Sequence, residues 1–532
     1  MSESNITLHS NTGVGTLDLP ANAPRETESF GKLSAPRFAS GSAILQRIFS
    51  FPAMLASLLV GAVFYLGREF IVDPDLWWHI KVGDTILTTH RWPTTDPYSF
   101  TVSGQPWIAH EWLGDVIWAA AYRVGDLKAL DFLLIVLGSA IVLSIYAFAT
   151  LCSGKSKAGF ASSTLLLLLT LASFSLRPQM LGYLFFVLTL IALESFRQGK
   201  SWAIWFVPVL TLLWVNVHAS WIMGPLTVLV YWISGLLEFR SGSLEAKHWS
   251  SEQREKISFA FLLSVAMIPV NPYGVRMATV PFELALTTPL STKYIAEYQG
   301  MPFNMAIGKV FLVFLLGFIL MQVVTRYEWR LEELALVLLG TMMACLHVRF
   351  VLVFVPFFAP VLAKVLARWL PAYDQAKDKF ALNAVLMACV VAAMVHYFPS
   401  RAELRGSVAR HFPVAAVEFL QSHSIPDPMF NSWDFGGYLL WSRGTTHKVF
   451  FDGRSEVYEH GGVFNDYIHI TRLRPGALAV LDGYGIRSCL VTPSEPLATM
   501  LAESPGWQRV YRDSVSALFV RTASGAEVVK TP

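Results

Sequence analysis

The stretch that decides the fold is residues 51–80, FPAMLASLLVGAVFYLGREFIVDPDLWWHI. An apolar run from 51 to 71 has the length a helix needs to cross a bilayer core, about 20 residues. It is followed at once by two carboxylates, Asp73 and Asp75, beside Trp77, Trp78 and His79. A chain that leaves a membrane and immediately places acids at its surface poses a chemical question.

The rest of the sequence repeats the first half of this pattern. Of 532 residues, 54% are hydrophobic, 13% aromatic and 15% charged, and the mean hydropathy is +0.47. Soluble domains carry about a quarter charged residues, so the composition is that of a polytopic membrane protein. Eleven apolar segments are expected to form helices that span: 51–71, 130–151, 159–176, 179–196, 202–218, 221–238, 257–271, 309–325, 331–347, 350–367 and 381–398. A net charge of +3 is too small to imply a nucleic-acid partner. Cys152, Cys345, Cys389 and Cys489 have neither paired nor metal-ligand spacing and read as small apolar residues.

Three regions follow. Residues 1–46, polar and rich in Ser, Thr, Asn, Gly and Pro, are expected to be a disordered cytoplasmic tail without a cleaved signal peptide. Residues 47–398 are expected to form the transmembrane bundle, with external loops 72–129 and 272–308. Residues 399–532 are expected to form a small soluble extracytoplasmic α/β domain. In it VFFDGR, IRSCLVTP and WQRVYRDSVSALFVR read as strands, the last a hairpin around Asp513-Ser514, and a helix starts at Pro413. With the N-terminus in the cytoplasm, the short inner connections hold 14 Lys and Arg and the short outer ones hold four. This asymmetry fits the positive-inside rule. The predicted class is therefore mostly α, a bundle of about 11 spans plus the C-terminal α/β domain.

On that topology the unusual polar residues fall on the outer side. They are Asp73, Asp75, His79, His110, Glu111, Arg177, Asn216, His218, Asn271, Tyr273, Lys293, Glu297, Tyr298, His347 and Arg349. Ionisable groups at membrane depth are costly and mark sites. A carboxylate can take a proton from an acceptor hydroxyl, arginine can hold a phosphate through two parallel hydrogen bonds, and histidine can move a proton. The set suits transfer of a group from a lipid-phosphate carrier. Taken singly, many of these residues have plainer roles. Trp77 and Trp78 can mark the membrane interface, His79 and His110 can cap backbone, and Asp452, Arg454 and Glu456 can form a structural ion pair. HE at 110–111 lacks the second His of a zinc-protease helix, and no phosphate-binding Gly loop or nucleophile elbow is present.

The acidic pair after the first span, the long first external loop and the many spans resemble the glycosyltransferase-C superfamily, which includes protein mannosyltransferases, aminoarabinose transferases and oligosaccharyltransferases. The phrases DPDLWWHIKVGDTILTTHRWPTTDPYSFTVSGQPWIAHEWLGDVIWAAAYR and FNSWDFGGYLLWSRGTTHKVFFDGRSEVY look like a bacterial branch of it. The resemblance implies a multi-pass protein of the bacterial inner membrane. It implies a polyprenyl-phosphate or polyprenyl-diphosphate sugar donor, and an extracytoplasmic glycan, lipid or protein as acceptor. Asp73 would be the catalytic base, assisted by Asp75. Arg349, Arg177 and Lys293 would hold phosphate, with His79, His110, Glu111, Glu297, His218 and His347 lining the substrate. Some members use a divalent cation such as Mg or Mn and some do not; Asp75 and Glu297 would be its ligands. FNSWDFGGYLLW shares aromatic and Gly content with the acceptor-peptide motif WWDYG, but the order differs. Two other classes remain open: a transporter or flippase of a lipid-linked saccharide, and a non-catalytic envelope scaffold.

Overall fold

The computed structural model describes residues 41–69, 71–444 and 447–522. The chain divides into two units, Met1–Arg47 and Ile48–Pro532. The expected tail lies outside the described residues as far as residue 40; residues 41–46, also assigned to that tail, fall in a short helix, Gly41–Ile48. The second unit holds everything else.

Every one of the eleven apolar segments contains helix, but eleven full spans are not found among the described residues. Among the described residues five helices are long and apolar enough to cross a membrane: Trp112–Ser153, Gln179–Arg197, Ala219–Leu236, Ala306–Thr325 and Val348–Leu366. Phe380–His396 with Arg401–His411, bent by 64°, makes a sixth if the pair counts as one. The physical reasons differ from segment to segment. Run 159–176 breaks at Leu166 into helices Ser156–Leu165 and Leu167–Leu171. Run 257–271 belongs to a helix Ser251–Met267, whose first turns are charged and which stops ahead of Pro269, where the ring removes a donor and disfavours helix before it. Phe51–Gly67 is capped by Ser50, whose side chain accepts the Ala53 N–H at 3.4 Å.

The loop 72–129, expected to be external, is largely helical. Asp75–Thr89 follows Pro74 and ends at His90, whose left-handed backbone (φ 55°) lets its N–H reach Ile86 O. The long helix Trp112–Ser153 is interrupted at Gly125 and Asp126. Its first part therefore packs on Asp75–Thr89 while its apolar remainder runs into the bundle. Trp77 and Trp78 are 1% and 7% exposed, so they belong to the core rather than to an interfacial belt. Trp77 meets the rings of Phe412, Tyr438 and Trp441 from the C-terminal segment, with centroids 5.5, 5.0 and 4.6 Å away.

The C-terminal segment is α/β and is packed into the same unit. Its four strands run in the order Met429–Asn431, Ser488–Val491, Ala517–Arg521, Trp507–Arg512; the first pair is parallel and the others antiparallel. The hairpin forms where expected, and Asp513 Oδ1 accepts the N–H groups of Val515 and Ser516 at its turn. The helix after Pro413 runs Val414–Ser422. VFFDGR, however, is not a sheet strand. Its Phe450 N–H and Phe451 carbonyl are taken by the side chain of Asn431 at 2.9 and 2.8 Å, and Val449 bridges instead to Ser99 of loop 72–129.

That junction is fastened by Arg454. Its guanidinium is fully buried and bonds Asp452 at 2.9 and 2.6 Å and Asp96, from loop 72–129, at 2.6 Å. It lies over the rings of Tyr98 and Trp107 at 5.0 and 4.8 Å. Removing one side of a buried pair strands its partners, at about 3–5 kcal/mol. Arg454→Ala is expected to lose stability on this scale, with proteolysis opening first between the C-terminal segment and loop 72–129. Limited proteolysis with thermal unfolding in detergent checks it.

Candidate functional site

Arg177 stands in the tight turn before helix Gln179–Arg197, held by Arg177 N–H on Ser175 O and by Trp118 Nε1–H on the neighbouring Leu176 O. Its guanidinium meets three carboxylates from two distant loops. Nε donates to Asp73 Oδ2 at 2.6 Å, Nη2 lies 3.2 Å from Asp75 Oδ2, and Nη1 lies 3.3 Å from Glu297 Oε1. Arg349 completes the group: its Nη1 is 3.9 Å from Glu297, and its guanidinium lies over the Tyr298 ring at 4.3 Å. Expected residues separated by more than a hundred positions thus converge.

The two aspartates are not equivalent. Asp73 uses both oxygens, Oδ2 on Arg177 and Oδ1 on the N–H of Asp75, the first residue of helix Asp75–Thr89, at 2.9 Å. Asp75 makes the longer contact to Arg177. Burial pushes its carboxyl up to about 7; Arg177 pulls it down, and Asp73 and Glu297 push it up further. Its seat is shaped by glycine. A Cβ on Gly453 would stand 1.7 Å from Asp75 Oδ1, and one on Gly437 would stand 2.5 Å from Pro74 O. The two quoted C-terminal phrases therefore wrap the acidic turn. Nearby Asp434 is raised by burial and by Asp73.

A second group centres on Glu111. Its carboxylate has His218 Nε2 at 3.2 Å, His79 Nε2 at 3.6 Å and His110 Nε2 at 3.7 Å. His218 Nδ1 accepts the Ser220 N–H at 3.0 Å, so a neutral His218 carries its proton on Nε2, facing Glu111. His79 Nδ1 is 2.6 Å from Asp115 Oδ1. Burial is the leading cause of every shift here: it lowers His79, His110 and His218 and raises Glu111 to about 8, with Glu456 adding to the last. Near neutral pH this is a set of uncharged donors and acceptors.

Other expected residues stand apart. Lys293 is exposed, with its Nζ 5.5 Å from the Tyr294 ring. His347 bonds the Tyr298 carbonyl through Nδ1 at 2.5 Å and so ties the Glu297 loop to the Arg349 turn. Asn216 accepts the Trp112 Nε1–H at 2.9 Å, and Tyr273 Oη donates to Pro93 O at 3.0 Å; both are scaffolding. Asp75 and Glu297 are not arranged as a cation cage, because the Arg177 guanidinium already fills the space between them. Among the described residues no group of three or more His, Cys, Asp or Glu is set to hold a metal ion. Asp115 and Gly453 were not anticipated, and Glu456 was read only as part of a structural ion pair. The signal for Asp115 was available, since in EWLGD it falls four residues after Glu111, on one helix face.

No protein-family profile matches the chain, and no curated protein does. Among solved structures the chain is similar to the Archaeoglobus fulgidus oligosaccharyltransferase in complex with Zn and sulfate, at 11% identity and TM-score 0.48, over 82% of this chain and 68% of that one. It is similar to ArnT from Cupriavidus metallidurans in the apo state, at 13% identity and TM-score 0.48, over 89% and 98%. The same ArnT bound to undecaprenyl phosphate gives 11% and 0.46, over 92% and 100%.

The raised Glu111 carboxyl makes stability depend on pH. The folded state binds a proton that the unfolded state, near the ordinary 4.5, has already released. The contribution of Glu111 to stability therefore falls as pH rises between 4.5 and about 8, by on the order of a few kcal/mol. Glu111→Gln is expected to flatten thermal unfolding midpoints across that window, relative to the unsubstituted protein.

Proposed function

We propose that the chain is a membrane glycosyltransferase that moves a sugar from a polyprenyl-phosphate or polyprenyl-diphosphate donor to an extracytoplasmic acceptor. The observation that carries this reading is the convergence of Asp73, Asp75 and Glu297 on Arg177, with Arg349 beside them, at one end of the bundle. The resemblance noted in the sequence points the same way. A lipid carrier has its tail among the helices and its phosphate at their ends, which is where these cations stand.

In the proposed reaction Asp75 takes the proton from the acceptor hydroxyl. The acceptor oxygen bonds to the anomeric carbon as the bond from that carbon to the phosphate oxygen breaks. The electron pair leaves on the phosphate, which Arg349 holds. Arg349 suits this better than Arg177, because its one acidic neighbour is 3.9 Å away while Arg177 already serves three. We give the base to Asp75 rather than to Asp73, as the sequence suggested, because Asp73 has no free oxygen. Asp73 is then a positioning residue that fixes Arg177 and the helix start. Glu111 and its three histidines supply uncharged hydrogen bonds for sugar or acceptor hydroxyls. No step is routed through a metal ion. Transporters place their ionisable groups near mid-membrane, whereas this group sits at helix ends.

Two outcomes test the assignment. With a polyprenyl-phosphate sugar donor, the rate should rise through pH about 7 as Asp75 loses its proton. Asp75→Asn should lower kcat by about 10²–10⁴ and remove that rise; a normal profile from this variant contradicts the role. Arg349→Ala should weaken donor binding, read as KM, by about tenfold or more, since hydrogen bonds to charged groups are worth about 1.5–3 kcal/mol. Acceptor KM should stay unchanged.

A further inference from the structure

The end of the bundle opposite the carboxylate group carries a second cluster. Helix Gln179–Arg197 runs from beside Arg177 to Glu194 and Arg197, about 28 Å at 1.5 Å per residue. There Arg330 lies 3.2 Å from Glu194, 3.6 Å from Glu333 and 3.7 Å from Glu332. Lys364 lies 2.6 Å from Glu333, and Arg197 lies 2.7 Å from Glu194. Three acids and three cations balance in this inner layer.

Outside it opens a cavity of about 460 Å³ that also borders Arg326 and Arg368. Arg326 follows helix Ala306–Thr325 in a left-handed conformation (φ 48°), and Arg368 donates to the Thr325 carbonyl. Among the described residues neither is paired with an acid. The two glutamates on the rim are engaged elsewhere, Glu328 with Arg240 at 3.1 Å and Glu245 with Lys247 at 3.4 Å. The lining therefore has two surplus positive charges. Arg330 Nε and Tyr327 Oη, both on the lining, are buried without a hydrogen-bond partner among the described residues. The helix that leads to this cavity is bare: Leu320, Val323 and Val324, in its last turns, are 64%, 74% and 67% exposed.

We propose that this cavity binds the phosphate headgroup of an anionic membrane phospholipid, whose acyl chains lie along helix Ala306–Thr325. The surplus arginines Arg326 and Arg368, beside the unmet Arg330 Nε–H, suit a phosphate, and basic pockets between helices at a membrane face take such headgroups. The apolar surface adjoining the cavity selects a lipid over a free phosphate. The site is separate from the one that the transferase reading uses and does not depend on that activity.

The test uses the full chain purified into phosphatidylcholine nanodiscs, with phosphatidylglycerol titrated in and thermal stability followed. A saturable rise in melting temperature is expected. Each basic residue near an anionic lipid contributes a factor of about five in affinity, so Arg326→Ser with Arg368→Ser should weaken the response about thirtyfold. Lys377→Ser with Lys379→Ser, two exposed charges off the cavity, should leave it unchanged. Should the double variant not purify, Arg326→Ser alone carries the test with about a fivefold loss. An equal response from both pairs, no response to phosphatidylglycerol, or an equal rise from millimolar inorganic phosphate overturns the proposal.

Discussion

Three carboxylates do not gather in a half-buried corner unless something cationic holds them there. Like charges a few ångströms apart raise one another's proton affinity, and burial raises it further. Arg177 is what makes the gathering possible, because its planar fork offers a separate N–H edge to each of Asp73, Asp75 and Glu297. The loop after the first span, the turn before Gln179 and the loop ahead of helix Ala306–Thr325 are joined by this one side chain. It also leaves the three acids unequal. Asp73 is saturated, while Asp75 remains loosely held and titrates near neutrality.

The same device is used a second time, for architecture. Arg454 draws Asp96 and Asp452 together with no exposed surface at all, and so docks the C-terminal segment on loop 72–129. The neighbouring Gly453 then presses its backbone against Asp75. The docking that looks purely structural thus sets the environment of the acid next to Arg177. An isolated C-terminal domain would lack this partner, which is why the segment belongs to one unit with the helices.

Much of this was legible in the sequence. Apolar runs located the helices, and assigning sides by Lys and Arg brought Asp73, Asp75, Arg177, Glu297 and Arg349 to one end without any contact information. Span completeness was not legible. The run LLLLLTLASFS carries no proline or glycine to announce the break at Leu166, whereas the stop ahead of Pro269 had its signal in the proline itself. The partners were not legible either, because the ion pairs join residues 104 and 120 positions apart. VFFDGR looked like a strand because its residues favour one. A single asparagine side chain, Asn431, took the backbone groups that a ladder would have used.

The central claim is that donor phosphate and acceptor base meet at the Arg177 group. The most direct measurement is a cryo-electron microscopy structure of the full chain in nanodiscs with a polyprenyl phosphate. The account predicts phosphate density within hydrogen-bond distance of Arg349, on the side facing Asp75, with the Arg177 contacts retained. Headgroup density at another place in the bundle, or an Asp75 turned away from it, would contradict the account.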